Sequence, residues 1–286
     1  MATLITSLVN GHFSDRLDLN DRGLAYGHGL FETAALVDGR ALHWAAHLSR
    51  LRHGARRLAI PFDDALAAQL DDDLKQLLAS LDVIPQRLVL KLMLTRGQGG
   101  RGYAAPADMA VNRILLLSEF PIYADHPAQN GICIHVCQTM LGRNPLLAGI
   151  KHLNRLEQVL ARAEWSDPHI REGLVCDTEG MLVEGTMSNL FWITDGLLYT
   201  PDLSFCGVAG IMRERVMQLA GQQGIRVQQG FYSLETLQQC DELFVTNSLI
   251  GIWPVVRCDE ARLSRQWRIG PITQQLQQQL AAEGVR

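Results

Sequence analysis

Two Asp-Gly dipeptides restrict this chain more than any other feature. FETAALV-Asp38-Gly39-RALHW and LFWIT-Asp195-Gly196-LLYT each set two residues between apolar, strand-forming runs. A link of this length closes as a tight turn in which both central residues take positive φ, and Asp-Gly tolerates that backbone. Each half of the chain is therefore predicted to hold an antiparallel hairpin, over 30–44 and 190–200. Around them, three- and four-residue apolar spacing predicts helices over 45–59, 64–80, 211–223 and 272–283. RLVLKLMLT (87–95), RILLLSEF (113–120) and ICIHVCQT (132–139) read as strands, as do segments near 173–177 and 181–186. DELFVTNSLIGIWPV (241–255) reads as a strand running into a loop. FPIYADHPAQNG (120–131) carries two prolines and reads as a linker. The expectation is a mixed α+β or α/β chain of two domains, 1–120 and 132–286, joined by 121–131, with Lys151 in the second.

The 286 residues are 47% hydrophobic, enough to build such cores, and the net charge is −4. With no basic stripe, nucleic acid is an unexpected partner. With no apolar run near the ~20 residues that span a bilayer, a membrane is unexpected too. MATLITSLVNGHFSD lacks a basic, cleavable leader pattern and is predicted to be a first strand, which implies a cytoplasmic protein. The six cysteines form no CxxC pair and read as buried, reduced thiols. His43 and His47 stand four apart without a third ligand, so no metal site is expected.

AGIKHLNRLEQVLARAEW (148–165) combines an apolar run, Lys151, and Leu153, Leu156, Leu160 and Ala163 at helical spacing. The helix is predicted to bury that face. A lysine there either reaches solvent or serves as a Schiff-base amine, kept neutral by apolar neighbours such as Leu147 and Ile150. Glu184, inside the apolar strand MLVEGTMSNLFWIT, is either an edge carboxylate or a buried partner for a cation. The protonated ring nitrogen of pyridoxal phosphate is one such cation. A phosphate would need backbone N–H groups and hydroxyl or guanidinium donors. Gly210-Ile211-Met212 at a helix start, Thr246-Asn247-Ser248 at a strand end and Arg50 supply those types. The glycine-rich RGQGGRGY (96–103) matches neither GxxxxGK[ST] nor a helix-opening GxGxxG, which disfavours a nucleotide. It reads instead as a loop presenting Arg96 or Arg101 to an anionic substrate.

Taken together, DRGLAYGHGLFET (21–33), GRNPLLAGIKHLNRLEQVL with Lys151, EGTMSNLF with Glu184 thirty-three positions later, and VAGIMR (208–213) resemble the fold-type IV pyridoxal phosphate enzymes. That family includes branched-chain and D-amino-acid aminotransferases and aminodeoxychorismate lyases. The lysine segment, with RGQGGRGY upstream, is most similar to the lyase branch. The resemblance implies a two-domain, D-amino-acid-aminotransferase-like fold, a homodimer and a small-molecule substrate. It also implies that Lys151 holds the cofactor and acts as acid and base. Glu184 would face the ring nitrogen, and Arg50, the backbone of Ile211 and Met212, and Ser248 would hold the phosphate. Arg101 and Asn247 match positions gripping substrate carboxylate, Tyr26 matches a substrate-side position, and Thr33 matches a threonine beside the lysine. The implied reaction takes 4-amino-4-deoxychorismate to 4-aminobenzoate and pyruvate. Phe31-Glu32-Thr33 carries a glutamate of the aminotransferase kind, so an aminotransferase is the alternative.

Overall fold

Asp38 and Gly39 adopt φ of 48° and 75°, and Asp195 and Gly196 adopt 50° and 74°, so both hairpins turn as their sequence requires. The computed structural model describes residues 3–106 and 108–285. Two units emerge, Met1–Ile122 with Ile150–Asn154, and Tyr123–Gly149 with Arg155–Arg286.

The first unit runs β1 (Leu4–Val9), β2 (His12–Phe13), α1 (Arg22–Tyr26), β3 (Gly29–Val37), β4 (Arg40–Ala41), α2 (Trp44–Arg57), α3 (Asp64–Ala79), β5 (Arg87–Thr95) and β6 (Asn112–Glu119). The strands form one antiparallel sheet in the order β2-β1-β6-β5-β3-β4. β5 alternates with period two, burying Leu88, Leu90, Leu92 and Leu94 and leaving Lys91 exposed although the strand is internal. α2 packs on β3, and α3 on β1 and β6.

The second unit runs α4 (Pro127–Asn130), β7 (Ile132–Val136), α5 (Leu156–Arg162), β8 (Ile170–Cys176), β9 (Leu182–Gly185), β10 (Asn189–Thr194), β11 (Leu197–Pro201), α6 (Ile211–Gln222), β12 (Val227–Gly230), β13 (Glu242–Asn247), β14 (Gly251–Glu260), β15 (Leu263–Gln266) and α7 (Pro271–Ala282). Its mixed sheet is ordered β12-β11-β10-β13-β14-β7-β8-β9, with β15 on β14. Ile132, Ile134 and Val136 of β7 enter a core with Trp192, Leu237, Trp253 and Trp267. Five of the six cysteines are buried and all are free. Burial pushes the Cys137, Cys206 and Cys258 thiols up to about 12, so they pack as small neutral hydrophobes.

Three expectations need correction. Residues 123–131 are no linker, because α4 packs on β14 within the second unit. The segment read as strand-then-loop is a hairpin of β13 and β14, turned at 248–250 and registered from Phe244↔Pro254 to Asn247↔Gly251. Residues 150–154 group with the first unit, since Phe31 N donates to Lys151 O (2.9 Å) and Leu153 N to Gly29 O (3.0 Å). That extended pairing delays the helix to Leu156. In the seven residues left, Ala161 is buried, whereas Leu156, Val159 and Leu160 are 76%, 60% and 60% exposed. The face predicted to enter the core points outward.

Candidate active site

The pairing of the lysine segment with β3 fixes where Lys151 stands. β3 alternates, so Glu32 is buried while Phe31 and Thr33 share the other, half-open face. The Lys151 Nζ lies 4.2 Å from the centroid of the Phe31 ring. Phe31 is an apolar wall beside the amine. Thr33 is directly opposite Lys91 on β5, whose Nζ is 5.6 Å from the same ring. One face of β3 therefore gathers Phe31, Thr33, Lys91 and Lys151. Sequence reasoning passed over Lys91, although a lysine within LVLKLML was the available signal.

The glycine-rich loop is held by residues that precede β3. Asp21 is fully buried and caps α1, accepting from Gly23 N (2.7 Å) and Leu24 N (3.2 Å). It also accepts from Thr95 Oγ1 and Asn112 Nδ2. Arg22, 2% exposed, donates to the carbonyls of Gly102 (2.9 Å) and Tyr103 (2.7 Å), the two residues after Arg101. The Tyr26 hydroxyl accepts from Gly102 N (3.1 Å), and its ring meets Tyr103 edge-on. A side chain at Gly97 would strike the Ala110 carbonyl at 1.8 Å, so only glycine lets the loop close there. Arg96 is corrected: it is buried and donates to Met109 O (3.0 Å) and Pro106 O (2.9 Å), stapling the loop rather than presenting itself to a substrate. Arg101 stays exposed. Tyr26, read as a substrate-side residue, supports the loop that carries Arg101. Arg22→Ala, which removes both carbonyl contacts and so loosens the loop that carries Arg101, should raise KM for the activity proposed below about tenfold, equivalent to about 1.5 kcal/mol, with kcat nearly unchanged. Arg101→Ala should do the same; steady-state kinetics of both would show it.

Arg50 is not an isolated surface guanidinium. Its Nε donates to Glu32 Oε1 (2.8 Å) and its Nη2 to Glu32 Oε2 (2.5 Å), while His47 Nδ1 contacts Oε2 at 2.7 Å. Glu32 is 1% exposed. Burial alone would push this carboxyl up, yet Arg50 and His47 hold it below its ordinary value. Glu32 thus aims Arg50, and is not presented on the Phe31–Thr33 face.

In the second unit Glu184 is 4% exposed on β9. Its Oε2 accepts from Val208 N (2.8 Å) and from Asn189 Nδ2 (3.4 Å). Asn189 also donates to Val208 O (2.8 Å). Val208 bridges to Gly149, with Gly149 N donating to Gly207 O and Ala209 N to Gly149 O. Gly149 is thus fastened beside the backbone that Glu184 grips. α6 then starts with Gly210 at its cap and no side-chain cap bond. A Cβ on Gly210 would meet Asn189 Oδ1 at 1.9 Å. The first N–H groups of a helix have no intrahelical acceptor, so those of Ile211 and Met212 form a ready anion seat.

Asn247 needs correction. Its Oδ1 accepts from Leu249 N (2.9 Å) and Ile250 N (3.1 Å), and its Nδ2 donates to Met187 O (3.1 Å). The amide is engaged in the turn that displays half-buried Ser248 and in steadying the 186–188 loop. Thr246 Oγ1 is taken by Gly251 O. Sequence reasoning also missed Glu172, whose carboxylate collects Thr186 N and Oγ1 and Ser188 Oγ and so shapes the segment after Glu184. It missed Arg155 as well, whose guanidinium is lowered by burial against the charges of Glu184 and Glu157.

Each unit holds donor types that suit pyridoxal phosphate: in the first, an amine beside an apolar ring; in the second, a buried carboxylate in an apolar strand and a helix start without a side-chain cap bond. Residues 29–258 match the amino-transferase class IV family. The chain belongs to that family. Among class IV relatives, it is 35% identical over 278 residues to an aminodeoxychorismate lyase of Vibrio harveyi, covering 94% of this chain and 97% of the relative. It is 30% identical to a putative branched-chain-amino-acid aminotransferase of Methanocaldococcus jannaschii, covering 94% and 93%. The crystal structure of a 4-amino-4-deoxychorismate lyase from Pseudomonas aeruginosa superimposes with a TM-score of 0.89 at 46% identity, covering 96% of this chain and 98% of that one.

Proposed function

We propose that this class IV chain is a pyridoxal-phosphate-dependent lyase that converts 4-amino-4-deoxychorismate to 4-aminobenzoate and pyruvate. The observation that carries the reading is the gathering of Lys151, Phe31 and Thr33 on one face of β3. It gives the amine a hydroxyl-bearing neighbour on the strand, and the lyase relatives add weight to it.

Lys151 would hold the cofactor, Glu184 would meet its ring nitrogen, and the N–H groups of Ile211 and Met212, with Ser248 and Arg50, would hold its phosphate. The chemistry supplied by the bound cofactor is that of an electron sink, which Glu184 sustains by keeping the ring nitrogen protonated. The Lys151 amine removes the proton from the amine-bearing carbon of the substrate. The bond from the ring to the enolpyruvyl oxygen breaks, and the ring becomes aromatic. Lys151, aided by the Thr33 hydroxyl, returns a proton to the enolpyruvyl methylene carbon, which completes pyruvate. The Arg101 guanidinium grips a substrate carboxylate. Asn247 acts through the backbone it fastens.

Purified protein given 4-amino-4-deoxychorismate alone should release both products. A strict requirement for an amino acid and a keto acid would move the assignment to the aminotransferases. Glu184→Gln should retain cofactor yet turn over about 10–150-fold more slowly, the ~1.5–3 kcal/mol of one hydrogen bond to a charged group. Unaltered kcat would give the ring nitrogen another partner.

The same reading makes the enzyme a cytoplasmic homodimer. Free cysteines suit a reducing compartment. Among the described residues no helix is long and apolar enough to cross a membrane. Exposed Leu146, Leu156, Val159 and Leu160 give the second unit an apolar surface for a second copy. Light scattering should report twice the 31.8 kDa chain mass, and Leu160→Asp should shift it toward monomer.

A further inference from the structure

We propose that His135, Cys137 and Glu164 form a binding site for a divalent cation of the zinc type. Alternation along β7 sends Ile132, Ile134 and Val136 into the main core and places His135 and Cys137 together on the opposite side. Glu164, just past α5, lies against them. An imidazole nitrogen, the thiol sulfur and a carboxylate oxygen stand within 4.8 Å of one another.

Zinc binds these donor types at roughly 2.0–2.3 Å in a tetrahedron, which sets ligand atoms roughly 3–4 Å apart. Small side-chain adjustments would close the cluster to that size. Two donors are already aimed. His135 Nδ1 is 2.7 Å from Glu260 Oε1, which turns Nε2 toward Glu164 Oε2 at 3.3 Å. A carboxylate behind a ligating imidazole fixes the ring and raises its basicity. Glu164 is held by Gln138 N (2.6 Å) and Thr139 N (2.8 Å). The Cys137 sulfur, on a residue 2% exposed, has only a long 4.0 Å contact with Ala161 O as its hydrogen bond. The side chains of His135 and Glu164 are 15% and 19% exposed, so an ion and a completing water have access. The ion displaces the Cys137 thiol proton to solvent, and thiolate with imidazole selects zinc or cobalt over magnesium and calcium. A charged His135 bridging Glu164 and Glu260 would explain the imidazole and the carboxylates, and the sulfur packs in an apolar cluster with Leu141, Ala161, Trp165 and Val175; what points to an ion is that all three donor types meet in one place. None of these residues belongs to the lyase reading, so this site stands or falls independently of it.

The probe is Co²⁺, titrated into chelator-treated, cofactor-loaded full-length protein. The expected result is binding of about one ion per chain, with the visible bands of four-coordinate cobalt and a sulfur-to-cobalt charge-transfer band, both reversed by Zn²⁺. Cys137→Ser and Cys137→Ala should remove the charge-transfer band, and Glu260→Gln should weaken binding about 10–100-fold. Circular dichroism and lyase turnover should stay at wild-type levels in all three. The proposal is overturned if no cobalt spectrum develops, or if it persists unchanged in both Cys137 variants.

Discussion

Replacing Lys151 with alanine should yield a folded protein without measurable turnover. The fold survives because the Lys151 backbone, not its side chain, pairs with β3: the carbonyl accepts from Phe31 N, and Leu153 N reaches Gly29 O. The side chain is half-buried and leaves no core cavity. Activity does not survive, because the amine is assigned both the proton removal and the proton return. General acid–base catalysis alone contributes about 10²–10⁴-fold, and loss of the proposed hold of Lys151 on the cofactor comes on top. Far-UV circular dichroism of the variant should overlay the wild type, and product release should fall to the assay floor. Borohydride treatment of the wild type, followed by peptide mapping, should mark Lys151. Lys91 is the informative rival, because its Nζ is 5.6 Å from the same Phe31 ring. A pyridoxyl label on Lys91, or retained turnover in Lys151→Ala, would sink the assignment.

What the sequence disclosed follows from the range of the forces involved. Asp38-Gly39 and Asp195-Gly196 set their turns through local φ, so both hairpins were legible. The period-two pattern of RLVLKLMLT gave β5 its full span. Lys151 and Glu184 stood out in the sequence because a lone charge in an apolar run is locally anomalous. Features set by distant partners were hidden. Arg96 and Arg101 look alike within RGQGGRGY, yet loop carbonyls capture one and leave the other outside. Asn247 looks like a substrate-facing donor until its Nδ2 is seen to donate to Met187 O. The outward face of α5 was misread because helical spacing reveals an apolar stripe, not what covers it. Cys137 and Glu164 are brought together by β7 and the turn after α5, and no linear spacing announces them.

Glu32 is where the largest stability effect belongs. Its carboxylate is almost fully buried and is met by the Arg50 fork and His47. Removing one partner of such a buried pair costs about 3–5 kcal/mol. Glu32→Ala should therefore lower the unfolding free energy, read from urea titrations, by that amount, whereas the paired change Glu32→Gln with Arg50→Met should recover part of it. On the proposed reading, in which Arg50 holds the cofactor phosphate, function should suffer as well, because Glu32 no longer aims the guanidinium; weaker cofactor retention on dialysis would reveal this. The pH dependence follows from the direction of the shift. Arg50 and His47 hold the folded-state carboxyl below its ordinary value despite burial, so its ionised form binds protons less readily than in the unfolded chain. The stabilisation is thus fully present above the ordinary glutamate value of about 4.3 and drains away as pH falls through the lower folded value. Urea midpoints of the wild type should fall more steeply below about pH 4 than those of the Glu32→Ala variant. Parallel acid profiles of the two proteins would remove Glu32 from this role.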